Sequence, residues 1–218
     1  MRRYTYDAKN YPLSEIALGS IQKHYPDVQD LSLLHEHVPA KKIGELAKII
    51  GKDLADTNFY EIFDKLLKDY VSLGEILVQR FGNIRINIPN QDKDGTVLPF
   101  HQGQWVGNGL GLRTVWLPFT DAYDSNSLQI VNLMDSREIT NACKEWDYPR
   151  LQEECQKSCE PVNIKKGQFI LFTQEHIHGA APNRTGKTRM SVDVRLLLKD
   201  GQPHRKWPGA YFRKLHDT

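Results

Sequence analysis

The chain reads as an α+β protein whose helical first third supports a double-sheet β-barrel. Three observations predict this. Apolar residues recur at helical spacing before Gly82, a period-two alternation begins at Ile84, and short strand candidates separated by turn residues then run to Leu198. The stretch from Leu31 to Lys52 is basic and carries Leu and Ile. Phe59 to Arg80 places Phe63, Leu66, Leu67, Tyr70, Val71 and Ile76 at helical intervals. Ile84, Ile86 and Ile88 alternate with Arg85 and Asn87 until Pro89 ends the run. Further strands are expected at Val97 to Trp105, Leu112 to Phe119, Leu128 to Leu133, Gln168 to Thr173 and Thr188 to Leu198. Asp135 to Glu160 is charged and reads as a helical or irregular insertion. No repeat or linker divides the chain, so a single domain of residues 1–218 is expected, with 1–82 as helical support and 83–200 as the barrel.

Composition narrows the function classes. A net charge of +2 over 218 residues, with no long Lys/Arg stripe, argues against a partner that is a nucleic-acid polymer. The pairs Lys41-Lys42 and Lys165-Lys166 read as solvated surface. No apolar run is long enough for a membrane span. Three cysteines, Cys143, Cys155 and Cys159, form an odd set. Together with the absence of an apolar leader after Met1, they favour a reducing cytoplasm and free thiols over a zinc site with His176 and His178.

The chemistry-bearing residues sit in the barrel half. His101-Gln102-Gly103 stands where many iron enzymes carry His-x-Asp, and a second histidine follows in His178-Gly179-Ala180. Two histidines and one carboxylate form the common facial ligand set of non-haem Fe(II) oxygenases. On an extended strand His101 and Gly103 share a face, and a glycine there supplies no ligand. Either the third metal position is open to another group, or no metal binds. His176 lies on the same face as His178 and competes with it. In Arg189-Met190-Ser191-Val192-Asp193-Val194-Arg195 every odd position is polar and every even one apolar. One face packs on the core while the other lines something wet or charged.

Taken with Leu98-Pro99-Phe100-His101, Trp105, Val115-Trp116-Leu117-Pro118, Lys166-Gly167-Gln168-Phe169, Phe172, His178-Gly179, Asn183-Arg184-Thr185 and Arg189-Met190-Ser191, the chain resembles Fe(II)/2-oxoglutarate oxygenases of the phytanoyl-CoA dioxygenase type. Small oxygenases of carbohydrate biosynthesis clusters are the nearest likeness, which covers Ile84 to Leu198 well and the helices more loosely. The resemblance implies a jelly-roll (double-stranded β-helix) core, with His101 and His178 as iron ligands. It makes Arg189 the clamp for the distal carboxylate of 2-oxoglutarate, with the Ser191 hydroxyl beside it. It further implies O2 consumption, loss of CO2 from 2-oxoglutarate and hydrogen abstraction from a substrate. Most members of the family carry Asp or Glu at the place of Gly103, whereas the iron halogenases carry Gly or Ala and bind chloride in the gap. Gly103 therefore resembles a halogenase signature.

The expected activity is a 2-oxoglutarate-dependent halogenase that uses O2 and chloride or bromide on an unactivated carbon. The alternatives are a hydroxylase with a two-histidine site, natural or produced by an Asp-to-Gly change at 103, and a non-catalytic jelly-roll binding protein. Arg85, Asn87, Trp105, Arg113, Trp116 and Arg195 are read as pocket residues. They suit a small polar or charged metabolite, whether sugar-like, an amino acid or a nucleotide.

Overall fold

The computed structural model describes residues 1–90, 98–202 and 209–216. In chain order the elements are β1 (Arg2–Thr5), α1 (Leu13–Gln22), α2 (Leu34–His37), α3 (Ile43–Asp53), α4 (Phe59–Tyr70), β2 (Ile76–Gln79), β3 (Asn83–Asn87), β4 (Leu112–Pro118), β5 (Leu128–Val131), α5 (Leu133–Ala142), α6 (Tyr148–Ser158), β6 (Cys159–Pro161), β7 (Gln168–Thr173), β8 (His178–Ala180), β9 (Arg189–Leu198) and β10 (Phe212–Lys214). The strands form a seven-stranded sheet in the order β1-β7-β4-β9-β2-β10, with β3 also paired to β9, and a three-stranded sheet β6-β5-β8. Among the described residues every strand pairing is antiparallel. This is an α+β jelly roll with helices packed on one side.

Side-chain parity on the large sheet decides what faces where. Met190, Val192, Val194 and Leu196 of β9 join Val115, Leu117, Phe169 and Leu171 in the main core, together with Phe59, Phe63 and Leu66 of α4 and Leu46 and Ile50 of α3. The helices thus cover the outer face of the large sheet. On the other face Trp116, Ile170 and Phe172 meet Leu128 and Ile130 of the small sheet and form the apolar part of the barrel interior.

Three element boundaries differ from the sequence expectation, each for a local reason. The basic stretch from Leu31 is divided because Val38, which precedes Pro39, is forced into an extended conformation (φ −117°, ψ 119°) and ends α2. The helix from Phe59 stops at Tyr70, after which Val71 is extended and Gly74 takes φ +70°. Val71 and Ile76 are therefore outside it, and Ile76 opens β2 opposite Leu198. The expected strand from Val97 to Trp105 contributes only an isolated bridge at His101, since the chain turns into a 3-10 helix at Gln104–Val106; Val97 lies outside the described residues. β1, β6, β8 and β10 are too short for their periodicity to be readable.

Asp64 of α4 anchors the C-terminal strand. Its fully buried carboxylate accepts from Arg213 Nη1, from Arg213 Nη2 at 3.1 Å, and from the backbone N–H and ring nitrogen of His216, both at 2.8 Å. Removing one partner of a buried pair leaves the other charge uncompensated. Asp64→Ala should therefore lower unfolding free energy by about 3–5 kcal/mol in urea titration and raise amide exchange across β10. An unchanged midpoint would contradict this anchoring role.

Candidate functional site

The two histidines of the sequence motifs meet across the mouth of the barrel. Backbone N–H of His101 donates to the carbonyl of His178 at 3.0 Å, and the reverse bond is also 3.0 Å. Directly opposed residues of an antiparallel pair send their side chains to the same face. The rings accordingly lie with centroids 4.4 Å apart and tilted by 51°. Gly179 makes this approach feasible: a Cβ there would stand 3.0 Å from Phe100 N and 3.1 Å from Leu98 O. Each ring is oriented by its own backbone. His101 Nδ1 lies 2.9 Å from the Pro99 carbonyl and His178 Nδ1 lies 3.0 Å from the His176 carbonyl. Since carbonyls only accept, both Nδ1 atoms carry the proton, and both Nε2 lone pairs are presented outward. That tautomer is the one metal-bound imidazoles use.

Burial also keeps the pair neutral. It lowers the His101 pKa and pushes that of His178 down to about 3, with the neighbouring His101 adding to the effect. His176 is placed differently. Its Nδ1 is 2.9 Å from Thr173 Oγ1, its ring meets Phe172, and burial lowers its pKa to about 4. The structure brings His101 to His178, not to His176.

The polar face of β9 lines a cavity of about 880 Å³ that also takes in His101, His178, Thr114, Trp116, Phe172 and the β3 side chains. Register explains the grouping: Arg85 lies opposite Ser191, Asn87 opposite Arg189, and Trp116 opposite Asp193. Arg189 is only 4% exposed, yet no carboxylate pairs with it among the described residues. Its Nε donates to the Asn126 carbonyl at 3.0 Å and its Nη1 to Ser191 Oγ at 3.0 Å, with the Trp116 ring 5.8 Å from the guanidinium carbon. Burial and the charge of Arg85 lower its pKa to about 10, so it remains a cation. Ser191 Oγ also accepts from Trp116 Nε1 at 3.1 Å, which leaves the hydroxyl hydrogen free to donate. A fixed cation beside a free hydroxyl donor can hold a carboxylate.

Arg195, the other arginine of this face, is already committed. It bonds Asp193 at 3.0 Å and Gln79 at 3.3 Å. Asp193 in turn accepts from Arg85 Nε at 2.9 Å and Asn83 at 2.7 Å. Burial alone would raise the Asp193 carboxyl, but Arg195 and Arg85 together hold it below the usual range.

Two expected pocket residues lie elsewhere. Arg113 has the wrong parity on β4: it stands opposite Leu196 and Thr173 on the other face and donates to the carbonyls of Leu110 and Leu112. Trp105 sits on the 3-10 turn, 38% exposed, where the chain has left the strand. Arg85, Asn87, Trp116 and Arg195 do line the cavity. Sequence reading missed Lys48 and Lys52 of α3 and Thr114 of β4, which also line the cavity. The lysine pair at i and i+4 on one helix face was a usable signal, because like charges so placed repel.

Gly103 does not leave an open space. Its backbone is right-handed (φ −57°, ψ −34°) rather than extended, and a side chain there would run into Gln174. An added Cβ would stand 2.7 Å from Gln174 Cδ and closer still to Oε1. Among the described residues no group of three His, Cys, Asp or Glu side chains is arranged to hold a metal. No helix among them is long and apolar enough to cross a membrane.

The phytanoyl-CoA dioxygenase (PhyH) family model matches residues 36–191 of the chain. No curated protein matches. Among solved structures, AviO1 from Streptomyces viridochromogenes Tue57 superposes with a TM-score of 0.54 at 11% identity, covering 92% of this chain and 89% of that one. The non-haem α-ketoglutarate-dependent carbocyclase SnoK from nogalamycin biosynthesis gives 0.50 at 16% identity, covering 72% of each. At these identities the likeness is one of fold.

A histidine whose folded pKa is depressed contributes stability above its unfolded value near 6.5 and loses it as pH falls below that value. The metal-free protein should therefore lose stability from pH 7 to pH 5. His176→Gln should flatten that fall by up to about 1.4 kcal/mol per pH unit below 6.5. A thermal-melt series in which the variant keeps the parental slope would rule out a buried neutral His176.

Proposed function

The chain belongs to the phytanoyl-CoA dioxygenase family of Fe(II)/2-oxoglutarate-dependent non-haem oxygenases, and from that premise we propose that it oxidises a C–H bond of a small anionic metabolite in the cavity between its two sheets. His101 and His178 would hold the iron through Nε2, and Arg189 with Ser191 would hold the distal carboxylate of 2-oxoglutarate. The observation that carries this reading is the buried Arg189, which has no carboxylate partner among the described residues and lies in the cavity that the two histidines line. When bound, iron and 2-oxoglutarate together supply O2 activation coupled to decarboxylation to succinate, and the oxidising power to take a hydrogen from carbon.

The chain's own residues prepare the site. The Pro99 and His176 carbonyls hold both imidazoles in the ligating tautomer. Arg189 binds without rearrangement, because Asn126 and Ser191 already fix its fork. Trp116 and Phe172 form an apolar wall around the charged groups.

Charge supports an anionic substrate. The cavity is lined by Lys48, Lys52, Arg85, Arg189 and Arg195 against Asp56 and Asp193, a net +3 before any metal is counted. A dianionic 2-oxoglutarate balances only an Fe(II) ion. The remaining positive charge, at Lys48, Lys52 and the outer nitrogens of Arg85, suits a phosphorylated or carboxylated molecule. A sugar phosphate, a nucleotide and an acidic amino acid all meet that description.

Halogenation is the second reading. It rests on Gly103, where a missing carboxylate would free a coordination position for chloride or bromide. Gln174 packed onto Gly103 favours oxygen transfer over halide transfer in this rotamer. A non-catalytic binding role is disfavoured because an anion site alone gives no reason for two facing histidines held in the Nδ1-protonated tautomer beside Arg189 and Ser191.

Anaerobic titration with Fe(II) and 2-oxoglutarate, followed by the visible charge-transfer band, tests the assignment. A band is expected in the parent protein; its complete absence would sink the reading. Arg189→Ala should weaken 2-oxoglutarate roughly ten- to a hundredfold, the value of a charged hydrogen-bonded contact. If affinity is unchanged, the clamp is elsewhere. A band that shifts with chloride would favour halogenation, and an indifferent band would favour oxygenation.

A further inference from the structure

We propose that Gln152 is a positioning residue for His101: its side-chain amide holds the Phe100 backbone and so keeps the His101 ring in the tautomer and orientation that present Nε2. This rests on the assignment of His101 as an iron ligand. The insertion between β5 and β6, which carries α5 and α6, contributes no residue to the cavity lining. It reaches the site through the chain beside the histidines instead. Because His101 and His178 exchange both backbone hydrogen bonds, Phe100 points its own N–H and C=O to the opposite edge. Among the described residues no strand lies along that edge. Gln152 of α6 takes the place of one. Phe100 N–H donates to Gln152 Oε1 at 2.8 Å, and Gln152 Nε2 donates to the Phe100 carbonyl at 2.8 Å.

The pairing needs an amide, which offers a donor and an acceptor side by side. A carboxylate, such as the adjacent Glu153 or Glu154, would set a second acceptor against the Phe100 carbonyl. Phe100 is buried, so losing the amide leaves two backbone groups without partners. α6 is itself fixed, since Leu151 and the fully buried Cys155 pack with Phe100, Val131 and Ile177. Phe100 lies between Pro99, whose carbonyl accepts from His101 Nδ1, and His101 itself. A shift at residue 100 therefore acts on that bond directly. α5 grips the neighbouring residues in the same way. Gln102 Nε2 donates to Thr140 Oγ1 at 2.8 Å, and Ile177 N–H donates to Ser136 Oγ at 3.0 Å. The insertion thus holds the chain on both sides of His101 and immediately before His178.

The test reads the ring and the metal separately. In metal-free protein above neutral pH, long-range proton–nitrogen correlation spectra should show His101 protonated at Nδ1 in the parent. In Gln152→Ala the same ring should become a mixture of tautomers while His178 is unchanged. In anaerobic Fe(II) titration with 2-oxoglutarate present, Gln152→Ala should weaken iron binding roughly tenfold or more. Gln152→Met keeps the side chain's length and removes both hydrogen bonds, so it should match the alanine variant and replaces it if that one folds poorly. Gln156→Ala, exposed one turn further along α6, should change neither reading. A single His101 tautomer in both Gln152 variants, or an unchanged iron affinity, makes the pairing structural only and overturns the inference while the family activity stands. A parent protein that binds no iron overturns the ligand assignment itself, and the inference with it.

Discussion

The structure depends on a strand that is polar on one face and buried on both. β9 runs through the middle of the large sheet, with β4 on one edge and β2 and β3 on the other. Its even residues need an apolar cover, and α3 and α4 supply it. Its odd residues carry three charges into the barrel, where burying a charge is costly unless it is paired. Asp193 settles two of them by accepting from Arg85 and Arg195. Arg189 has no carboxylate partner among the described residues, which leaves a buried cation whose charge an anion would balance.

The histidine pair follows from backbone chemistry more than from side-chain packing. A reciprocal hydrogen bond between residues 101 and 178 places both rings on one face, and Gly179 lets the two backbones come close enough to form it. The carbonyls two residues upstream of each ring then fix its tautomer. Six backbone groups thus orient the two histidines.

Gly103 illustrates how the same residue carries two meanings. As a letter in His-x-Gly it signals a missing ligand and an open coordination position. In the folded chain the space is filled from another segment, by a glutamine at the end of β7. A missing side chain in a motif is a vacancy only if no other part of the chain reaches the same point.

Periodicity determined a good part of the architecture by itself. Alternation around Ile84 and Ile86, the apolar run Phe169 to Phe172 within Gln168 to Thr173 and the strict polar–apolar pattern of β9 are local properties, and each became a strand where expected. Both histidines and Arg189 were legible because their spacing and neighbours are distinctive. Tertiary structure decided the rest. Short strands such as β8 and β10 exist only because a partner edge is available, and β2 replaces the tail of a helical pattern for the same reason. Arg113 faces away from the cavity because the parity of β4 is set by its pairing with β7 and β9. Trp105 leaves the site because the chain turns at Gly103. Lys48 and Lys52 reach the cavity because α3 packs against β3, and although their spacing on one helix face is legible, the contact with β3 is not encoded locally.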